Sequence, residues 1–256
     1  MGKGRRCGEL KAVLYVAHGT RSIKGAHETR GFIKRVMKQV SIPIQEMSFL
    51  ELAEPCIEEA FVRCVERGAV CITVVPLFLL AAGHIKQDIP QILSSLQERY
   101  PYIPIYIENP FGVQREVLDA ASELVRRAAG RLCGDDCLLI VGRGSSDPQT
   151  IGDFSLIAKG IKKRLGIKHV SVCYLAAASP RFKESLDALL EKMNGRIIIL
   201  PYLLFSGILS AEIELEIRKR YRPGQLILNT GPLSSDHTFK NIIIERANSN
   251  KLLGMN

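Results

Sequence analysis

No apolar run in this chain approaches the ~20 residues needed to span a bilayer. No phosphate-binding P-loop and no Gly-x-Gly-x-x-Gly fingerprint opens any of its strand-to-helix turns. The first absence excludes a helical membrane protein, and the second disfavours nucleotide hydrolysis and a nicotinamide cofactor. Paired cysteines are lacking as well: seven are scattered along the chain, an odd number that argues against a secreted disulfide framework. Cys56, Cys64, Cys71 and Cys173 fall in apolar patterns and are expected as small core residues. Cys133 and Cys137 stand beside Asp135 and Asp136 without a second pair, so a packing role is favoured over zinc or an iron–sulfur cluster. The basic start, Met1 to Arg6, has no signal-peptide apolar core, and a cytoplasmic location is expected. Aromatic residues are scarce at 6%, basic residues are spread rather than clustered, and no nucleic-acid-binding motif occurs, so no nucleic acid partner is expected.

What is present is a chain of 256 residues, 46% apolar and 24% charged, with a net charge of +9. That is enough to bury one large core or two of half the size. A dispersed positive field suits a small polyanion held in a pocket. Runs such as Lys162-Lys163-Arg164 and Arg218-Lys219-Arg220 read as solvated helix faces.

Strand and helix patterns alternate regularly. Residues 12–18, 44–51, 69–79, 103–108, 137–141, 169–176, 196–205 and 225–229 read as strands. Helices are expected near 24–40, 55–67, 84–100, 114–129, 149–165, 181–193, 210–221 and 237–248. The pattern is βα four times, then four times again. It repeats at residue level with an offset of 125 (143 − 18): His18-Gly19-Thr20 falls on Arg143-Gly144-Ser145, Pro55 on Pro180 and Pro76 on Pro201. Both Pro55 and Pro180 are expected at the first position of a helix, where a missing amide is harmless. The expected architecture is α/β, two copies of one βα domain, residues 1–130 and 131–256, each with a four-stranded parallel sheet, facing each other across a cleft.

Three chemistry-bearing residues stand at strand ends in the first copy: His18, Glu51 and His84. Strand ends lie side by side in a parallel sheet, and ligands of open α/β folds bind outside them. Two imidazoles and a carboxylate gathered there can hold a divalent cation and accept protons. The second copy has Arg143, Ala176 and Ile208 at the corresponding places. One copy therefore keeps ligand and base chemistry, while the other offers a permanent cation and hydroxyls.

Several motifs, in this order along nearly the whole chain, resemble the sirohydrochlorin chelatase family. They are His18-Gly19-Thr20-Arg21, Glu51 ahead of Ala53-Glu54-Pro55, Pro76-Leu77-Phe78-Leu79 through Gly83-His84-Ile85-Lys86-Gln87-Asp88-Ile89-Pro90, Arg143-Gly144-Ser145-Ser146-Asp147-Pro148, and Pro201 to Gly207. The resemblance implies a chelatase-like fold of two Rossmann-like domains. It also implies ATP-independent insertion of a divalent metal into sirohydrochlorin, with iron giving siroheme. Protoporphyrin ferrochelatase is more distantly similar.

On that resemblance His18 and His84 are expected to bind the metal, His18 also to take a proton, and Glu51 to act as partner base or to orient a histidine. Arg21, Lys86 and Arg143 are expected to pair with the carboxylate arms of the octacarboxylate substrate. Ser145, Ser146 and the backbone amides of the helix start near 149 are expected to take further carboxylate oxygens. Glu54 belongs to the same binding set. Leu79, Leu80, Ala81, Ala82 and Gly83 suit a floor for the flat macrocycle, although Leu79 and Leu80 read equally as core and Asp88 as a solvated helix residue. No cofactor is expected beyond the substrate metal, Fe2+ with Co2+ or Ni2+ as alternatives. The ending Asn248 to Asn256 lacks the His-rich tail and cysteine motif of some long cobalt-inserting members, which leans toward iron. A monomer is expected. The rival readings are a non-catalytic tetrapyrrole or metal carrier and a histidine phosphatase, the latter weakened because Ala17 precedes His18 where that chemistry wants an arginine.

Overall fold

The computed structural model describes residues 10–81, 83–193 and 195–249, with the backbone alone at His84. Ala82 therefore lies outside the described residues. Two compact units are present, one of residues up to Pro110 together with those from Lys240, the other Phe111–Phe239.

In the first unit β1 (Lys11–Ala17), β2 (Ile44–Phe49), β3 (Cys71–Pro76) and β4 (Ile105–Ile107) alternate with α1 (Ile23–Met37), α2 (Ile57–Glu66) and α3 (Ile89–Arg99). The strands form one parallel sheet in the order β2-β1-β3-β4. Ala12 to Ala17 are each no more than 1% exposed, as an apolar run without polar alternation requires of a strand covered on both faces. Ala12, Leu14 and Val16 pack in one cluster with Ile57, Ala60 and Phe61 of α2 and Ile89, Leu93 and Leu96 of α3. Spacing of i, i+3, i+4 in α2 and of i, i+4, i+7 in α3 puts each set on one stripe.

After β4 comes α4 (Arg115–Ala129), which groups with the second unit. That unit contains β5 (Cys137–Gly142), α5 (Pro148–Leu165), β6 (His169–Tyr174), α6 (Phe182–Lys192), β7 (Ile197–Pro201), α7 (Ile208–Lys219) and β8 (Ile227–Asn229). Its parallel sheet runs β6-β5-β7-β8. The last helix, α8 (His237–Asn248), returns the chain to the first unit, where Arg246 donates to the carbonyl of Asn109 and the side chain of Asn248 accepts from Ser41. The compact grouping is thus drawn at other residues than the sequence repeat.

The repeat is exact in register. Ala17 pairs with Phe49 and Val16 with Pro76, while Gly142 pairs with Tyr174 and Val141 with Pro201. Every one of those partners is shifted by 125 (142 − 17, 174 − 49, 201 − 76).

Three sequence expectations need correction. Strands read as 44–51, 69–79 and 196–205 stop at Phe49, Pro76 and Pro201; beyond these points single backbone bonds such as Leu50 N to Ala17 O, Leu77 N to Val16 O and Tyr202 N to Val141 O lead each chain into its loop. Pro55 and Pro180 do not open helices; α2 and α6 begin at Ile57 and Phe182, and both prolines follow cis peptide bonds in the preceding loop. Their carbonyls accept hydrogen bonds from Phe49 and Tyr174 at 2.8 and 3.0 Å. Cys56 is not a core residue either: half-buried, its sulfur caps α2 by accepting from Glu59 N at 3.5 Å.

The second unit carries a charge cluster on α7. Glu216, 5% exposed, is met by Lys219 at 2.9 Å, by Arg220 and by Lys183 at 3.7 Å. Hydrogen bonds from Lys219 and Arg220 hold its carboxyl down at about 2, below the ordinary 4.5. A depressed carboxyl contributes stability that is full above its unfolded value and is lost as pH falls through the folded one. Thermal melts should therefore show the wild-type protein losing stability between about pH 4.5 and 2. Glu216→Gln should be less stable at pH 7 and should respond less over that acid window; an identical acid response in both would remove Glu216 from the account.

Candidate active site

In the order β2-β1-β3-β4 the chain leaves β1 toward β2 on one side and then crosses to β3 on the other. The crevice at the carboxyl ends of β1 and β3 is thus the switch point of the sheet, the place where such folds take ligands. His18 is the first residue beyond β1, and Glu51 lies two beyond β2.

Backbone geometry brings these two together. Leu50 N donates to Ala17 O at 2.8 Å and Glu51 N to His18 O at 3.1 Å, so the ladder between the two chains runs on past the formal strands. His18 Nδ1 then stands 3.5 Å from Glu51 Oε1, with the imidazole 28% and the carboxylate 44% exposed. The Phe78 ring lies 6.0 Å from the imidazole, tilted by 46°. Gly19 has φ +97°, and a Cβ placed there would lie 1.7 Å from Glu51 O. Only glycine lets the two loop backbones approach this closely. The chain then turns into α1 by its own side chains: Thr20 Oγ1 accepts from Ser22 N, and Ser22 Oγ accepts from Gly25 N, both at 3.1 Å. Arg21 projects from this turn and is exposed.

On the other side of the crevice Leu77 N donates to Val16 O at 2.8 Å, seating the start of the β3 loop against β1. Phe78, Leu79, Leu80 and Ala81 follow, all half-buried, and Gly83 is exposed. His84 opens a π-helical turn, His84–Asp88, that runs directly into α3. Single π turns inside helices recur at functional sites. Lys86 within it is exposed and Asp88 half-buried.

In the second unit the same loop geometry holds different chemistry. Ala176 N donates to Arg143 O at 2.8 Å, and a Cβ on Gly144, φ +93°, would lie 1.7 Å from Ala176 O. Arg143 and Ser146 are exposed. Ser145 Oγ accepts from Asp147 N at 3.0 Å, and Asp147 Oδ1 accepts from Gln149 N at 2.9 Å. This corrects one expectation: the amide at Gln149 and that of Thr150, which donates to Asp147 O, are already taken by the cap and are not open to a ligand's carboxylate.

The structure brings His18 and Glu51 into contact, with Arg21 in the turn after His18 and Glu54 exposed on the Glu51 loop, while His84 and Lys86 lie in the π turn that follows the β3 loop. Among the described residues no group of three or more His, Cys, Asp or Glu side chains is assembled as a metal cage. Cys137 is buried and its thiol is pushed up to about 11 by burial, while Cys133 is exposed and its amide donates to Asp136. Burial of Cys137 is in keeping with the packing role, whereas the exposed Cys133 is not the core residue expected. Sequence reasoning missed Arg30, whose guanidinium donates to Glu54 O at 2.5 Å and lies 5.0 Å over the Phe49 ring. No spacing signals it, because the contact joins α1 to a loop 24 residues on.

An imidazole held beside a carboxylate at a solvent-facing strand end can accept a proton and can ligate a divalent ion through nitrogen. The chain is 44% identical over 210 residues to the sirohydrochlorin ferrochelatase of Priestia megaterium, covering 82% of this chain and 79% of that one. It is 30% identical over 217 residues to the sirohydrochlorin cobaltochelatase of the same organism, covering 83% and 70%. SirB from Bacillus subtilis, solved with Fe3+, superposes with a TM-score of 0.79 at 37% identity over 93% of this chain and 95% of that one. The CbiX family pattern matches residues 12–128 and again 137–250, the two copies seen in the sheets, and with these likenesses it makes the chain a member of the CbiX family.

Proposed function

We propose that this chain is a sirohydrochlorin ferrochelatase, inserting Fe2+ into the octacarboxylate tetrapyrrole without ATP to give siroheme and two protons. The observation that carries the reading is the His18–Glu51 pair, 3.5 Å apart at the switch point of a sheet whose chain is 44% identical to a sirohydrochlorin ferrochelatase.

The reaction must strip a hydrated ion, deliver it to four pyrrolic nitrogens and remove two N–H protons. His18 is suited to the last two tasks: neutral imidazole holds iron(II) or cobalt(II) firmly enough to capture it and loosely enough to release it. Glu51, 3.5 Å from Nδ1, orients the ring and favours the imidazolium formed when a pyrrole proton is taken. His84, at the head of the π turn, is the second metal-binding histidine in this reading. Arg21, Lys86 and Arg143, all exposed, take carboxylate arms together with Ser145 and Ser146, and the half-buried Leu79, Leu80 and Ala81 with Gly83 meet the flat face of the ring.

Cobalt insertion is the second reading, favoured by the likeness to a cobaltochelatase over 83% of the chain. Purified protein given metal-free sirohydrochlorin with iron(II), cobalt(II) or nickel(II) under anaerobic conditions separates the two by initial rate. Fastest turnover with iron is expected; fastest turnover with cobalt would establish the second.

Arg143→Ala tests the anion-binding role. A lost charge-assisted pair weakens binding by about 1.5–3 kcal/mol, so the KM for sirohydrochlorin should rise roughly ten- to hundredfold with little change in metal dependence. Added salt should weaken the wild type more than the variant. An unchanged KM and salt response would pass the role to Arg21 and Lys86.

A further inference from the structure

We propose that Arg30 is a positioning residue that holds Glu51 against His18 by clamping the loop from Glu51 to Pro55. The loop is tied at its start by Leu50 N and Glu51 N to the end of β1, and at its finish by Pro55 O, which accepts from Phe49 N. Between those ties Leu52 sits at φ +62°, a left-handed conformation that leucine adopts only when its surroundings force it. Leu52 is also 48% exposed, and the same left-handed turn recurs at Ala177, so the turn belongs to the loop itself.

Arg30 adds a tie from outside the loop: it stands on α1, which starts directly after the His18 turn and is anchored by the Ser22 cap. Its Nη2 donates to Glu54 O at 2.5 Å, and its guanidinium lies 5.0 Å over the ring of Phe49, two residues before Glu51. A planar cation that bonds at one edge and stacks on its face is fixed in two directions at once. The helix carrying the His18 turn and the loop carrying Glu51 are thereby joined at a point separate from the His18–Glu51 contact itself.

The second unit is an internal control. Ala177 repeats the left-handed turn at φ +54°, yet the position corresponding to Arg30 is Ser155, whose hydroxyl donates back to Ile151 O of its own helix. There the loop carries Ala176 in place of Glu51, and its arginine, Arg181, reaches only Leu175 O at 3.4 Å. The helix-to-loop clamp occurs in the copy whose loop carries a carboxylate.

The proposal rests on the chelatase reading for its kinetic readout and on the His18–Glu51 contact for its spectroscopic one. In the substrate-free protein, Arg30→Ala and Arg30→Met should move the His18 imidazole 15N signals toward those of Glu51→Gln, while the other assigned histidines keep theirs. In the insertion assay both variants should lower kcat about tenfold with KM for sirohydrochlorin within about twofold. Adding Arg30→Ala to Glu51→Gln should cost nothing further, since residues acting as one unit are non-additive. His18 signals left at their wild-type positions in folded Arg30→Ala and Arg30→Met would overturn the proposal whatever the enzyme's activity. Full additivity with Glu51→Gln would overturn it too. A wild-type protein without insertion activity would instead count against the chelatase reading, and the imidazole signals would still decide the role of Arg30.

Discussion

His18→Ala is expected to lower the rate of metal insertion by about a hundredfold or more while leaving the fold intact. General acid–base groups contribute about 10²–10⁴ in rate, and His18 is read as metal ligand as well as base, so both functions are lost together. The fold should survive because the side chain is 28% exposed beyond the end of β1 and because its structural contribution is made by the backbone, through His18 O to Glu51 N at 3.1 Å. Glu51→Gln should be milder, since it removes a partner of the imidazole and leaves the nitrogen in place. Tetrapyrrole affinity, read by titration without metal, should change little in either variant. A folded His18→Ala protein turning over normally would remove His18 from the chemistry and with it the assignment of the first sheet end as the active site.

Gly19→Ala and Gly144→Ala are expected to be among the most damaging substitutions available in the chain, and to be alike. Each adds a Cβ 1.7 Å from a carbonyl oxygen, Glu51 O in one copy and Ala176 O in the other, at φ of +97° and +93°. No side chain can move aside, because the obstacle is backbone held by its own ladder bonds. Together the clash and the left-handed strain should cost at least about 4 kcal/mol, which is exceptional for one methyl group. Gly68→Ala separates the two contributions: its φ is +86° but nothing lies within 4 Å of the added carbon, so strain alone should cost about 1–2 kcal/mol. Equilibrium unfolding of the three variants checks the order. Equal losses for Gly19→Ala and Gly68→Ala would mean that the loop backbones separate easily and do not fix the His18–Glu51 distance.

Much of this was legible in the residues. Runs such as Val13-Leu14-Tyr15-Val16 and Ile197-Ile198-Ile199-Leu200 leave a buried parallel strand as the economical reading, and the offset of His18 onto Arg143 foretold a register repeated in both sheets. What was not legible depends on where the chain goes after a strand ends. Pro55 and Pro180 look like helix starts, yet each serves the preceding loop through its carbonyl. The acceptor role of Asp147 toward Gln149 N closes an anion site that a bare helix start suggests. The Arg30 contact joins residues 24 apart on α1 and the Glu51 loop, for which no local spacing exists.

The most direct measurement of the central claim is product formation with sirohydrochlorin and iron(II) in large excess over purified protein, followed anaerobically by absorbance. Many equivalents of siroheme per protein chain, formed well above the rate without protein and lost in His18→Ala, are the predicted result. A burst that stops at one equivalent would identify a carrier, and a rate equal to the protein-free reaction with every divalent metal would contradict the account outright.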